Sequence, residues 1–172
     1  MRVKIYVEGG GEGKVLRSQC REGFSRLLRK CFPNQMPKII AGGSRNNTYE
    51  MFKQSLLSND PTTCSILLVD SEDPVMGTDY SLDSPLAWNH LISRDQWEKP
   101  LNAANNQAQL MTTCMETWIM ADPDAIISFF GSHARRNALL PINNLEILNR
   151  HDVQDSLEQA TEYCGRDRMY KK

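Results

Sequence analysis

The sequence predicts an α/β protein: a small parallel sheet of about four strands sandwiched between helices, with extra helices toward the C-terminal end. Three observations carry this. Short β-branched apolar runs alternate with helix-length segments, the order expected of βαβ units. One run, CSILLVD at residues 64–70, is almost uninterruptedly apolar, as strands covered on both faces are. The first run stops at a glycine cluster that opens into an amphipathic segment, the pattern of a strand-to-helix turn.

Residues 2–7 (RVKIYV) form the first strand and end at Glu8. Leu16, Cys20, Phe24, Leu27 and Cys31 then trace one apolar helical face, opposite a basic one, and Pro33 stops the helix. MPKIIAGG (36–43) is the second strand. Asn47 and Glu50 read as a capping box for a helix carrying Tyr49, Phe52 and Leu56 inward, closed by Ser58-Asn59-Asp60-Pro61. The third strand, 64–70, leads into a loop, after which Ser84 and Pro85 open a helix bearing Trp88, Leu91 and Ile92. QLMTTCM (109–115) is the fourth strand, reaching Glu116. Asp122 and Pro123 open a helix with Ile126, Phe129 and Phe130 inward, ended by Gly131. Two shorter helices follow, near 143–150 and 153–164, the latter capped by Asp152 and ended by Gly165. The 172 residues are expected to make a single domain, with its core at about 1–120 and a helical C-terminal extension at about 121–172.

With 20 Lys and Arg against 21 Asp and Glu, the net charge of −1 excludes a protein that holds nucleic acid by bulk charge, so any polyanion contact is expected to be local. No run approaches the roughly 18 apolar residues of a membrane span. MRVKIYVEGGG has no signal-peptide apolar region, so no membrane association and a cytoplasmic location are expected. The five cysteines form no Cys-x-x-Cys pair and are expected to be buried, reduced thiols.

The turn Glu8-Gly9-Gly10-Gly11-Glu12-Gly13-Lys14 holds four of the ten glycines, yet fails both phosphate-binding patterns. Aligned as a P-loop on Gly13-Lys14, it has Glu8 in place of the first glycine and Val15 in place of Ser or Thr; aligned as Gly-x-Gly-x-x-Gly from Gly9, it has Lys14 in the last position. Carboxylates flank it instead. A second acidic group, Asp70-Ser71-Glu72-Asp73, follows the strongest strand. Ligands of parallel sheets sit beyond the carboxyl ends of the strands, so both groups face one crevice if their strands are neighbours. Converging carboxylates repel unless a cation neutralises them, and all-oxygen ligation suits Mg²⁺ or Mn²⁺. A permissive glycine turn and a solvated acidic loop are the plainer alternatives.

These residues resemble the Toprim domain of topoisomerases, primases and overcoming-lysogenization-defect (OLD) nucleases: Glu8-Gly-Gly-Gly-Glu12 after the first strand, then Asp70-Ser71-Glu72 after an apolar one. The spacing from Glu8 to Glu12 is closest to the OLD type, and the resemblance covers about residues 1–120. It implies divalent metal and phosphodiester chemistry, with Glu8, Asp70 and Glu72 catalytic and with Glu8, Glu12, Asp70, Glu72, Asp73 and Glu116 as metal ligands. Glu72 departs from the usual Asp, so either its longer side chain or Asp73 is expected to be the second metal ligand of this motif. The chain also resembles small bacterial Toprim-like proteins encoded beside ABC-type or SMC-like ATPases, which implies an ATPase partner and a role in phage defence. Lys14, Arg17 and Arg21 form a stripe on the helix leaving the glycine turn and are expected, with Lys171, to contact phosphate.

The expected function is therefore an Mg²⁺-dependent nuclease acting on nucleic acid as an effector in anti-phage defence, the length leaving no room for the further domains of a topoisomerase or primase. A non-catalytic Toprim-like binding module in a defence or repair complex is the alternative. A haloacid-dehalogenase-type phosphatase is weaker, because its acidic motif follows the first strand. With Glu8, Glu12, Asp70, Glu72 and Asp73 set aside, 20 bases face 16 acids, so near-neutrality conceals a local excess of positive charge. DNA or RNA preference and oligomeric state are not legible.

Overall fold

A computed structural model describes residues 1–172 except 59, 78, 80, 166–168 and 172. Four strands, β1 (Arg2–Glu8), β2 (Lys38–Gly43), β3 (Thr63–Asp70) and β4 (Ala108–Met111), form one parallel sheet in the order β2-β1-β3-β4. The helices are α1 (Lys14–Arg29), α2 (Arg45–Leu57), α3 (Leu86–Asp95), α4 (Met115–Met120), α5 (Pro123–Phe130) and α6 (Arg150–Thr161). The α/β class, the four-strand parallel sheet and its flanking helices are as the sequence predicts. None of the helices among the described residues is long and apolar enough to cross a membrane.

The chain divides into two compact units, one of Met1–Val69 with Gly77–Leu110 and the other of Asp70–Met76 with Met111–Lys172. In the first, β1 pairs in parallel on both sides, with β2 through Ile5↔Ile39 and with β3 through Tyr6↔Leu67 and Val7↔Leu68. Strand side chains alternate between faces, so Tyr6, Leu67 and Val69 share one face. That face carries the core: Tyr49 and Phe52 of α2 and Trp88 and Leu91 of α3 pack on it, together with Trp97. Phe52 meets Tyr6 edge-on at 6.3 Å, and the Trp88 ring lies tilted 6.1 Å from it. The Trp88 indole is fully buried because its Nε1 finds a partner, donating to Ala104 O at 3.1 Å.

Several elements differ from the expectation. Of the inward face predicted for α1 only Phe24 is buried; Leu16, Leu27 and Cys31 are exposed, because α1 packs on β2, an edge strand with little surface to cover a wide stripe. Cys114 alone of the five free cysteines is buried. The cap of α2 is Ser44, accepting from Asn47 N at 3.4 Å, and the Asn47–Glu50 pair lies inside the helix. Ile92 and Phe129, expected inward, are exposed.

In the second unit, a six-residue helix replaces the end of the predicted fourth strand. Thr113 is buried with its hydroxyl on Leu148 O at 2.9 Å, and Met115–Met120 coils so that Thr117 and Met120 face inward. An apolar run this short does not by itself distinguish strand from helix. The predicted helix at 143–150 is only a 3₁₀ turn at Leu145–Ile147. Asn149 rather than Asp152 caps α6, accepting from His151 N at 2.9 Å, and the helix ends at Thr161. Asp122 does cap α5, accepting from Ala125 N at 3.0 Å. Cys114, Met120, Ile126, Leu145, Val153 and Leu157 form the unit's core.

One contact in the first unit tests how tightly its layers close. A Cβ at Gly42 would sit 2.2 Å from Thr48 Oγ1 and 2.6 Å from Thr48 Cα, so α2 rests directly on the β2 backbone. Gly42→Ala is expected to lower stability by roughly 1–3 kcal/mol, the usual cost of overpacking a filled interior, read as a reduced urea midpoint at unchanged slope.

Candidate functional site

The glycine turn is built for close approach of two loops. The β1–β2 ladder shifts register between Val7 and Glu8, which pair with Ala41 and Gly43 and leave Gly42 as the extra residue of β2, and Gly9 and Gly43 exchange backbone hydrogen bonds at 3.0 and 3.1 Å. Gly10 has φ +82° and its absent Cβ would lie 2.6 Å from Arg17 Cα; Gly43 has φ +81° and its Cβ would lie 2.5 Å from Gly11 O. No other residue fits either position. Arg17 Nε donates to Gly11 O at 3.0 Å, so this member of the predicted phosphate stripe ties the turn down, while Lys14, Arg21 and Glu12 are exposed.

Glu8 does not stand alone. The Arg45 guanidinium donates to Glu8 Oε2 at 3.0 Å through Nη1, and bidentately to Asp95 through Nε (2.9 Å) and Nη2 (2.7 Å). Arg94 Nη1 adds a 2.5 Å contact to Asp95. Arg45 lies 5.0 Å above the Trp97 ring, which stacks on Tyr49 at 4.3 Å, and Tyr49 Oη donates to Glu98 O at 2.6 Å. Fork geometry on one side and an aromatic plane on the other leave the guanidinium a single orientation. Burial pushes the Asp95 carboxyl upward, but the hydrogen bonds and charges of Arg45 and Arg94 more than offset it and hold it below the usual carboxylate range. Burial likewise opposes the Arg45 charge, and Asp95 and Glu8 outweigh that opposition.

Neither Arg45 nor Asp95 stands out as a sequence motif. A weaker sign exists. Arg45 is the first residue of α2 and Asp95 the last of α3, each the wrong charge for its end of the helix dipole. Such a local conflict points to a partner elsewhere in the fold.

The other carboxylates belong to the second unit. Ser71 is fully buried, with its N–H on Met111 O at 2.9 Å and its hydroxyl on Asp73 O at 2.7 Å. Glu72 adopts φ +61°, a left-handed conformation uncommon for a side-chain-bearing residue; its N–H donates to Thr113 O at 2.6 Å and its carboxylate meets Arg150 Nη1 at 2.5 Å. Glu116 lies in the first turn of α4 and not at a strand end, and accepts from Tyr170 Oη at 2.5 Å. Tyr170 also donates its N–H to Thr161 Oγ1 at 2.9 Å and packs on the unit's core. Burial first, then Glu116 and the charges of Cys114 and Asp70, push its phenol far above the ordinary value. Lys171 beside it is exposed, and the basic residues Arg166, Arg168 and Lys172 lie outside the described residues. Arg150 and Tyr170 were not anticipated as partners of the acids.

As a donor set, Glu8, Glu12, Asp70, Glu72, Asp73 and Glu116 are all oxygen ligands, which fits a hard divalent cation. Among the described residues no group of three or more His, Cys, Asp or Glu is arranged to hold a metal ion. Arginine engages Glu8 and Glu72, and a phenol engages Glu116.

The profile of the family described as a domain of unknown function (DUF4276) matches residues 7–172, and the chain belongs to that family. No curated protein and no solved structure matches it.

Two measurements probe these clusters. Arg45 and Asp95 side chains are only 13% and 9% exposed, so Arg45→Met is expected to cost about 3–5 kcal/mol, as removing one partner of a buried pair does. Asp95, depressed in the folded state, contributes stability that is complete above the unfolded carboxylate pKa of about 3.9 and is lost as pH falls through the folded value. The variant should therefore lose less stability than the parent between pH 5 and pH 3 in urea melts. In a spectrophotometric titration, Tyr170 is expected to stay protonated until the second unit unfolds, and Tyr170→Phe to remove one late-titrating phenol.

Proposed function

We propose that this protein is a Toprim-type, Mg²⁺- or Mn²⁺-dependent nuclease that cleaves phosphodiester bonds in nucleic acid. On this proposal it works in the cytoplasm as an anti-phage effector held in check by an ABC- or SMC-like ATPase. The observation that carries the nuclease assignment is the pairing of β1 with β3: Val7 is in register with Leu68, and both strands run on in the same direction to end on an acid, Glu8 and Asp70. Parallel sheets bind their ligands beyond those ends. The ATPase partner and the defence role rest on the sequence resemblance alone.

Glu8 and Asp70, the acids that end the paired strands β1 and β3, would be the residues to hold the ion, and Glu12, Glu72, Asp73 and Glu116 are the further ligands that the resemblance implies. The ion, when bound, supplies Lewis acidity and a more acidic water. Arg45 keeps the Glu8 carboxylate oriented, and the exposed Lys14 and Arg21 receive the phosphate backbone. A second reading, the non-catalytic binding module, is favoured by the arginines on Glu8 and Glu72, since a guanidinium already balances each charge.

Labelled DNA and RNA incubated with the full chain in Mg²⁺ and Mn²⁺ decide between them. Cleavage that EDTA stops, and that Glu8→Ala and Asp70→Ala each reduce by about 100-fold or more, is expected of the nuclease. Undiminished cleavage in both variants overturns it, and metal-independent binding without cleavage favours the module. Lys14→Ala with Arg21→Ala should flatten the salt dependence of binding by about one to two charges.

A further inference from the structure

We infer that residues 169–171 form an autoinhibitory strap, in which Tyr170 occupies Glu116 and keeps a divalent cation from it. The inference rests on the metal-dependent reading above and concerns how that site is held closed. Tyr170 Oη donates to Glu116 Oε1 at 2.5 Å, the short distance of a hydrogen bond to a charged acceptor. Glu116 is itself half-buried in the first turn of α4. Burial and Glu116 act on this phenol most strongly, and the charges of Cys114 and Asp70 reach it as well. One side chain thus stands near two of the acids assigned to the cation.

The hold on Tyr170 is local. Gly165, at φ +88°, turns the chain after α6, and a Cβ there would meet nothing within 4 Å. Met169 N–H then donates to Gly165 O at 2.9 Å, and Tyr170 N–H to the buried hydroxyl of Thr161 at 2.9 Å. The Tyr170 side chain packs on the core of the second unit, and beyond Thr161 the described residues form no helix or strand. A segment anchored by two backbone donors and one ring opens at lower cost than a helix or strand of the same unit.

A cation and a hydrogen-bond donor compete for the same carboxylate lone pairs. Tyr170 takes them on Glu116, and Arg150 takes them on Glu72 at 2.5 Å. Asp70 Oδ1 is shielded from solvent, so a cation reaches that oxygen only after a neighbouring group moves aside. Of these groups Tyr170 alone is carried by a segment without regular structure, whereas Arg150 is fixed in α6.

The probe is Mn²⁺ itself, titrated into the full chain and followed by the electron paramagnetic resonance of the free ion. Tyr170→Phe keeps the ring and removes only the hydroxyl, and is expected to bind Mn²⁺ about tenfold more tightly than the parent. Tyr163→Phe, at an exposed tyrosine ahead of the strap, should bind as the parent does. In a Glu116→Gln background, Tyr170→Phe should bring no gain. The sign is decisive, because a phenol that served to orient Glu116 as a ligand would make Tyr170→Phe bind more weakly. Equal or weaker binding by Tyr170→Phe of native circular dichroism overturns the strap and leaves the metal reading in place, as does a gain that survives Glu116→Gln. If neither the parent nor Tyr170→Phe binds Mn²⁺, the metal reading fails and the strap with it.

Discussion

The first unit depends on β1 having a parallel neighbour on each side. A parallel strand cannot return through a hairpin, so the chain leaves β1 and β2 from the same end, by turns that compete for the same space. Backbone alone can occupy it: Gly9 and Gly43 bond to one another, and Gly10 lies against the first turn of α1. The glycine cluster, which invites a phosphate-binding interpretation, is accounted for by this crowding. The same crowding brings α2 close to the end of β1, where its first residue reaches Glu8.

Charge at the strand ends is managed by arginine. Glu8 and Asp95 share Arg45, and Glu72 has Arg150, so each carboxylate is held by a donor of matching geometry instead of standing in water. The arrangement has two consequences for chemistry. An incoming cation must compete with a guanidinium, which raises the threshold for metal binding, and an incoming phosphate finds arginines already oriented. Ligand entry at these acids would therefore require the ion pairs to rearrange.

The sheet was legible because its strands are short, β-branched and stopped by glycine or an acid; β1, β2 and β3 fall within a residue or two of their expected limits. The acids at their ends were legible for the same reason. Burial of α1 was not, since an apolar stripe does not record how much of it the edge strand β2 can cover. Arg45, Asp95, Arg150 and Tyr170 escaped because each meets its carboxylate across tens of residues with no fixed spacing, and only the wrong-sign charges at the ends of α2 and α3 hinted at one pair. The end of β4 was misread where Thr112, Thr113 and Cys114 suit either a strand or an extended lead-in to a helix; the buried hydroxyl of Thr113 decides it.

The distribution of thiols gives the molecule a built-in clock. Cys31 lies open at the end of α1, whereas Cys114 is sealed in the second unit beside Thr117, its thiol pushed up by burial. A maleimide added to the native protein will therefore modify Cys31 promptly and reach Cys114 only as often as that unit opens. The slow phase reports the opening frequency of the part of the chain that carries Glu72 and Glu116, without any residue having been changed.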